Sequence, residues 1–279
     1  MNQFNLVSCE RQFDQRPIQC KNISLVECLE KRLLISPDSK KELTMIKDED
    51  EDYLTDGLLK YDINNQSPVL YPRSISECWI DGALPFSFEY GPLNQYALLS
   101  QIKQSGEINS PQQSAPARKH QYRLMDFIKN IKGLVLDVGS DRPSLSMQLL
   151  PQKCEYLGLD PYAGKGEFRV IGLGEILPIQ SHSVDAVLFN TSLDHILDYH
   201  TAIEEACRVL KPEGVIVIAT YAWVEGASLL TDSVHFHHFR EFEILGSLEK
   251  NFLIKNICRY EDPKHAKHRY GLYVMGTIK

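Results

Sequence analysis

Two carboxylates carry the first chemical signal in this sequence. Asp137 closes the apolar run LVLDVGS (Leu134 to Ser140), and Asp160 closes a second run, YLGLD. Gly139 follows the first acid, where the lack of a Cβ lets backbone N–H groups approach a ligand closely. An acid about 20 residues beyond such a turn is placed to accept the hydroxyls of a ribose. A nucleoside also needs a third loop beside its base, and GEILPI (Gly174 to Ile179) stands where one is required. A further apolar run, VDAVLFN, ends on Asn190, with Asp194 and His195 just beyond it. A histidine next to an acid suits proton uptake from a reacting group.

These residues must be held by an ordered scaffold. Short apolar strands alternate with helix-sized segments from Leu134 to the turn LKPEG and the run VIVIA, the pattern of a parallel sheet wrapped by helices. In such sheets ligands sit beyond the carboxyl ends of the strands, which gathers Asp137, Gly139, Asp160 and Asn190 on one edge. The segment His120 to Ile131 spaces Leu124, Phe127, Ile128 and Ile131 as a helical stripe leading into the first strand. FREFEILGSLEKN (Phe239 to Asn251) reads as an amphipathic helix. FLIKNICRYED and YGLYVMGTIK read as a final pair of strands, joined by the basic turn PKHAKHR. Five β/α units and this hairpin make seven strands.

The bulk numbers narrow the setting. The chain has 279 residues, 43% hydrophobic and 24% charged, enough for one large domain or two modest ones. Its net charge of −7 argues against nucleic acid as a partner. Seven scattered cysteines without a C-x-x-C pair read as reduced thiols. No apolar run approaches the ~20 residues of a membrane span and no signal-peptide core opens the chain, so a cytoplasmic location is expected.

On spacing alone the edge suits a nicotinamide enzyme or a methyltransferase. The series DVGSDRP, YLGLD, GEILPIQSHSVDAVLFNTSLDHILD and CRVLKPEGVIVIA resembles the class I S-adenosylmethionine (SAM)-dependent methyltransferases of the small-molecule group called type 11, over about residues 120 to 279. The resemblance implies an α/β fold with a Rossmann-like seven-stranded methyltransferase sheet, and SAM as cofactor. It implies that Asp137 receives the methionine amino group, Gly139 admits the backbone, Asp160 accepts both ribose hydroxyls, Gly174 and Glu175 line the adenine, and Asn190 faces the transfer centre. His195 and Asp194 are the expected acid–base pair if the acceptor must lose a proton. Two positions depart from the pattern. Asp141 and Pro143 replace glycines, placing an extra carboxylate near the methionine end that Arg142 is expected to offset. Leu173 stands where many members carry an acid for the adenine amine.

DSVHFHHF (Asp232 to Phe239) has three histidines among aromatics but no acid or cysteine at ligand spacing, so no metal is expected there. His237 and His238 should lie on the ligand edge, with His237 a further candidate for acid–base work. Farther upstream, ISLVECLEKRLLI (Ile23 to Ile35) spaces Val26, Leu29, Leu33 and Leu34 as a helical face. Residues 34 to 72 resemble the small zinc-ribbon modules of the tRNA-methyltransferase-activator type, through Leu34, Pro37, Leu43 and the PVLYP run. Ser36 and Ser39 hold the cysteine positions, so the resemblance implies a metal-free module kept together by packing. The acidic run Asp48 to Asp52 reads as a solvated hairpin tip.

The resulting expectation is an N-terminal α+β cap with linker over residues 1–116 and a methyltransferase domain over 117–279. The aromatic stretch Trp79 to Tyr96 should close over the pocket. The expected function is methyl transfer from SAM to a small-molecule or glycan-type acceptor. A non-catalytic binding scaffold with an altered glycine loop is the alternative, and RNA methylation the lesser one.

Overall fold

The computed structural model describes residues 20–73, 115–141, 143–161, 168–227, 235–261 and 267–279. Its centre is an eight-stranded mixed sheet. The strands are β1 (Lys21–Asn22), β6 (Gly133–Val138), β7 (Cys154–Asp160), β8 (Val170–Ile171), β9 (Val184–Asn190), β10 (Leu210–Trp223), β11 (Phe252–Glu261) and β12 (Arg269–Ile278). They run in the order β1-β7-β6-β9-β10-β12-β11, and β8 also pairs with β7. β6, β7, β9 and β10 are parallel, and β12 returns antiparallel between β10 and β11. The seven expected strands are all present, and β1 adds an eighth from far upstream.

Alternation along the strands divides the core between two faces. Leu134, Leu136 and Val138 of β6 join Leu157 and Leu159 of β7 on one face. That face also takes residues of α4 (Tyr199–Val209) and α5 (Glu241–Leu248). Val135, Cys154 and Tyr156 lie on the other, with Leu124 and Ile128 at the end of α2 (Ala115–Phe127) and Met147 and Leu149 of α3 (Pro143–Leu149). Asp137 shares this second face with Val135, which points it towards α3. Pro143 opens α3, where its fixed φ and missing N–H suit the first helical turn.

The two motifs GEILPI and CRVLKP are tied together by one arginine. Arg208, at the end of α4, donates to the carbonyls of Ile179 and Leu177, each at 2.8 Å. Its guanidinium also forks onto Glu205 (2.7 and 2.8 Å), whose Oε2 in turn accepts from the Leu177 N–H at 2.8 Å. A planar fork is needed to serve both carbonyls and a carboxylate at once. Arg208 therefore fixes the GEILPI loop against α4.

The N-terminal part does not stand apart. The helix expected over Ile23 to Ile35 is only α1 (Leu25–Glu30), capped by Ser24 and Glu27. Arg32, at φ 52°, stops it, with Arg32 N–H on Leu29 and Leu33 N–H on Cys28, the double closure of a Schellman turn. Val26 is accordingly exposed, while Leu33 and Leu34 continue as extended chain into the core. Leu34 bridges to Ile179, β1 pairs with β7, and the Leu70 N–H donates to Ile171 in β8. Residues 44–68 form a four-stranded antiparallel sheet of β2 (Thr44–Ile46), β3 (Tyr53–Thr55), β4 (Lys60–Asn64) and β5 (Ser67–Pro68), with the acidic run at the exposed β2–β3 tip.

Ser36 and Ser39 are held by hydrogen bonds as well as by packing. The buried Ser36 hydroxyl lies 2.7 Å from the Tyr61 hydroxyl, which donates to Asp38 at 2.8 Å, and the Ser39 hydroxyl donates to Asp56 at 2.5 Å. Cys20, Cys28, Cys154, Cys207 and Cys258 are free thiols, and Cys9 and Cys78 fall outside the described residues. So do the linker, the Trp79–Tyr96 stretch and most of the PKHAKHR turn. Among the described residues no helix is long and apolar enough to cross a membrane.

Replacing Arg208 by Ala removes this donor from two carbonyls and leaves Glu205 with the Leu177 N–H. We expect a loss of about 2–3 kcal/mol in urea unfolding, with Arg208→Lys recovering less than half of it. An unchanged midpoint in Arg208→Ala would remove the clamp from this account.

Candidate functional site

The parallel strands deliver their ends to one edge, and a cavity of about 460 Å³ opens there between the β6 and β9 termini. Gly139, Ser140 and Asp141 form one wall, Ser146 of α3 its floor, and Asn190, Asp194 and His195 the opposite wall. Gly139 sits at φ 81°, and a Cβ on it would come within 2.3 Å of the Ser192 Cβ. The Ser192 hydroxyl donates to the Val138 carbonyl, so the two loops are fastened where the glycine lets them touch.

Asp137 lies immediately behind this wall, only 1% exposed. The Tyr156 hydroxyl donates to its Oδ2 at 2.8 Å, while Oδ1 is buried without a hydrogen-bond partner. Burial pushes its carboxyl up to about 6, against the hydrogen bonds from Ser146 and Tyr156 that pull it down; the Asp160 charge pushes it further up. Asp160 ends β7, also buried, and its Oδ2 accepts from the Asp141 N–H at 2.9 Å. Asp141 itself takes a left-handed backbone at φ 29°, as an aspartate can. The Gly139 and Ser140 N–H groups both donate to the Leu159 carbonyl, which shapes the turn from within.

The cation near these acids is Arg169, which the sequence reading passed over. It is buried, and its guanidinium donates to the Asp141 carbonyl at 2.7 Å. Arg142, expected in this role, lies outside the described residues. Arg169 stands just before β8, and a lone arginine in FRVIG gives no local hint that it turns inward.

Gly174 and Glu175 belong to the loop after β8. Gly174 is packed so closely that a Cβ would meet Ile196 at 2.9 Å and Val138 at 3.2 Å. Glu175 accepts from the Asp198 N–H at 3.3 Å. Neither is among the cavity's described lining residues, and nor is Asp160. Leu173 is buried with Tyr71 and Ile171.

Asn190 does face the cavity and is steered by a residue the sequence reading did not single out. His120 Nε2 lies 3.2 Å from Asn190 Oδ1, and His120 Nδ1 lies 2.5 Å from the Tyr260 hydroxyl. Burial holds this imidazole down to about 4, hence neutral, with Nε2–H donating to Asn190 and Nδ1 accepting from Tyr260. Tyr221 stacks on His120 at 6.0 Å, and the Arg269 guanidinium lies 4.3 Å from the Tyr221 ring centroid. A signal was available: His120 falls on the same helical face as Leu124, Phe127 and Ile128, a polar residue aimed at the core.

Asp194 and His195 lie on a short 3₁₀ turn (Leu193–His195) after β9. The stretch after residue 234 is stitched to that turn. The Phe236 and His237 N–H groups donate to the Asp194 carbonyl at 2.9 and 3.2 Å. His237 Nε2 lies 2.9 Å from the carbonyls of both Ile196 and Leu197, so that nitrogen must carry the proton and donate. His237, which also lines the cavity, thus ties the loop down through its Nε2–H. The helix after it starts at Glu241, with His238 edge-on to Trp223. His235, by contrast, comes to the acid–histidine pair: its Nε2 is 3.7 Å from Asp194 Oδ2 and its ring 4.4 Å from that of His195.

Comparison with known proteins agrees with this architecture. Residues 136–218 match the family model described as a methyltransferase domain. A human mitochondrial ubiquinone biosynthesis O-methyltransferase is 37% identical over 62 residues, which is 22% of this chain and 17% of that enzyme. The chain thus spans about a sixth of that relative's length. The crystal structure of a Burkholderia thailandensis 1,6-didemethyltoxoflavin-N1-methyltransferase, with its substrate and S-adenosylhomocysteine, superimposes with a TM-score of 0.54 at 21% identity, over 68% of this chain and 92% of that one. The [4+2]-cyclase SpnF aligns with a TM-score of 0.50 at 14% identity, over 58% of this chain and 80% of its own. A sheet of this order, a cavity at its carboxyl edge and a matching segment at residues 136–218 identify the chain as one that carries the Rossmann-like methyltransferase fold, with a methyltransferase-domain sequence at its centre.

Proposed function

We propose that this protein transfers a methyl group from SAM to a small-molecule acceptor bound in the cavity. The observation that carries the reading is the buried, partnerless Oδ1 of Asp137 beside the Gly139 turn. A buried carboxylate oxygen lacking a donor is costly, and an ammonium group would satisfy it. The residues present therefore fit the amino end of SAM, with Ser140 and Ser146 lining the way to it. Asp160, at the end of β7, is proposed to receive the ribose hydroxyls. Bound SAM would supply a methyl already activated on a sulfonium. The chain's own task is then alignment, which is the larger part of catalysis in such transfers. Asn190, held by His120, lines the cavity, and Asp194 and His195, which line it too, are proposed to mark the end where the acceptor enters. Tyr221, Trp223 and Arg269 give that end an aromatic and cationic lining that suits a planar or oxygen-rich molecule. The local likeness to an O-methyltransferase of ubiquinone biosynthesis supports a small-molecule acceptor.

A second reading is a non-catalytic scaffold. It is favoured by the closure of the turn's amides onto Leu159 and Asp160, which leaves them directed inward. We propose further that residues 34–72 are a metal-free ribbon-type module, supported by the hydrogen-bonded Ser36 and Ser39 at positions where thiolates would otherwise stand.

Calorimetric titration with SAM and S-adenosylhomocysteine separates the first two readings. We expect saturable binding, and Asp160→Ala should abolish most of it; absence of binding at millimolar ligand would leave only the scaffold. Acidity gives an independent check. Below about 6 the Asp137 carboxyl takes up its proton and no longer balances an ammonium, so SAM affinity should fall as pH drops through about 6. At the other end, an α-amino group deprotonates near 7.7–8.0 and affinity should fall again above about 8. Asp137→Asn should flatten the acid limb; an acid limb of wild-type steepness in that variant would disprove the assignment.

A further inference from the structure

We infer that Asp194, His195 and His235 form a binding site for a divalent first-row transition-metal ion at the acceptor end of the cavity. One carboxylate oxygen and two imidazole nitrogens, one from each residue, lie within 4.8 Å of one another. Metal bonds of about 2.0–2.2 Å place such atoms roughly 3–3.6 Å apart, so closure asks for shifts on the order of an ångström. Sequence spacing hid this set, because the carboxylate reaches the histidine-rich stretch from a different strand end.

Three observations favour a cation over a plain polar cluster. Asp194 is buried, and its Oδ1 has no hydrogen-bond partner, which leaves an acceptor atom for an electrophile. The two arms of the site are locked to each other before any ion binds: Phe236 and His237 N–H groups hold the Asp194 carbonyl, and His237 Nε2–H holds Ile196 and Leu197. Preorganisation of this kind lowers the cost of assembling ligands. Finally, all three residues line the cavity, so an ion held by them keeps coordination positions open to solvent or to a bound molecule.

The donor set selects the metal class. Two imidazoles and a carboxylate suit Mn²⁺, Fe²⁺, Co²⁺ or Zn²⁺, whereas Mg²⁺ and Ca²⁺ call for oxygen ligands alone. The open positions would accept oxygen donors, and a hydroxyl bound there becomes more acidic. That last consequence rests on the methyl-transfer reading; the binding of the ion does not.

The test uses full-length protein dialysed against chelator and then titrated with Co²⁺, followed by visible absorption, without SAM. We expect one Co²⁺ per chain at micromolar concentrations, displaced by Zn²⁺. Asp194→Asn and His235→Gln should each weaken uptake about tenfold or more, while His200→Gln, whose imidazole meets Ser247 away from the cavity, should bind as wild type. Circular dichroism melting confirms that each variant is folded, and His195→Gln provides a third ligand change should either of the others unfold. Uptake that persists unchanged in the folded ligand variants, or no uptake below millimolar Co²⁺, overturns the site. Metal binding in a protein that fails to bind SAM would reject the methyl-transfer reading and keep this one.

Discussion

The contact on which this architecture turns is the approach of Gly139 to Ser192. Any side chain at Gly139 would occupy the space of the Ser192 Cβ, and only a residue at ease with positive φ can make the turn. Because the two loops meet there, the ends of β6 and β9 stand side by side. Ser140 then shares a cavity rim with Asn190 and Asp194, with Asp137 buried behind it. Substitution of two later positions by Asp141 and Pro143 leaves this contact intact: Asp141 accepts the left-handed backbone, and Pro143 starts α3.

Around that contact the chain satisfies some buried polar groups internally and leaves others open. Arg208, His120 and Tyr156 each find their partners within the chain. Asp137 Oδ1 and Asp194 Oδ1 do not; Asp194 lines the cavity and Asp137 lies behind its Gly139 wall. Buried acceptors without donors are rare because each costs on the order of 1–3 kcal/mol.

Much of this was legible in the sequence because the backbone itself demanded it. A glycine after a strand, an acid at the next strand end and the L-P and R-V-L-K-P segments are local features with local causes. What could not be read was contact between distant side chains. Arg169 turns inward to the Asp141 carbonyl, and His120 meets Asn190 from a helix that precedes β6. The histidines of DSVHFHHF lacked an acid at helical or hairpin spacing; Asp194 arrives instead through parallel strand topology. The misjudged Val26 has a simpler origin. Periodicity counting ran past a Schellman closure at Arg32, and nothing about an arginine advertises a left-handed backbone.

The two-residue strand β1 pairs with β7 across more than a hundred intervening residues, and the Tyr71 hydroxyl donates to the Pro161 carbonyl from nearly as far upstream. Closure of loops this long costs chain entropy before any contact repays it. During synthesis the upstream segment therefore emerges long before its sheet edge exists. The sheet edge at β1 and β8 is a late product of folding, completed only when this upstream segment finds its partners.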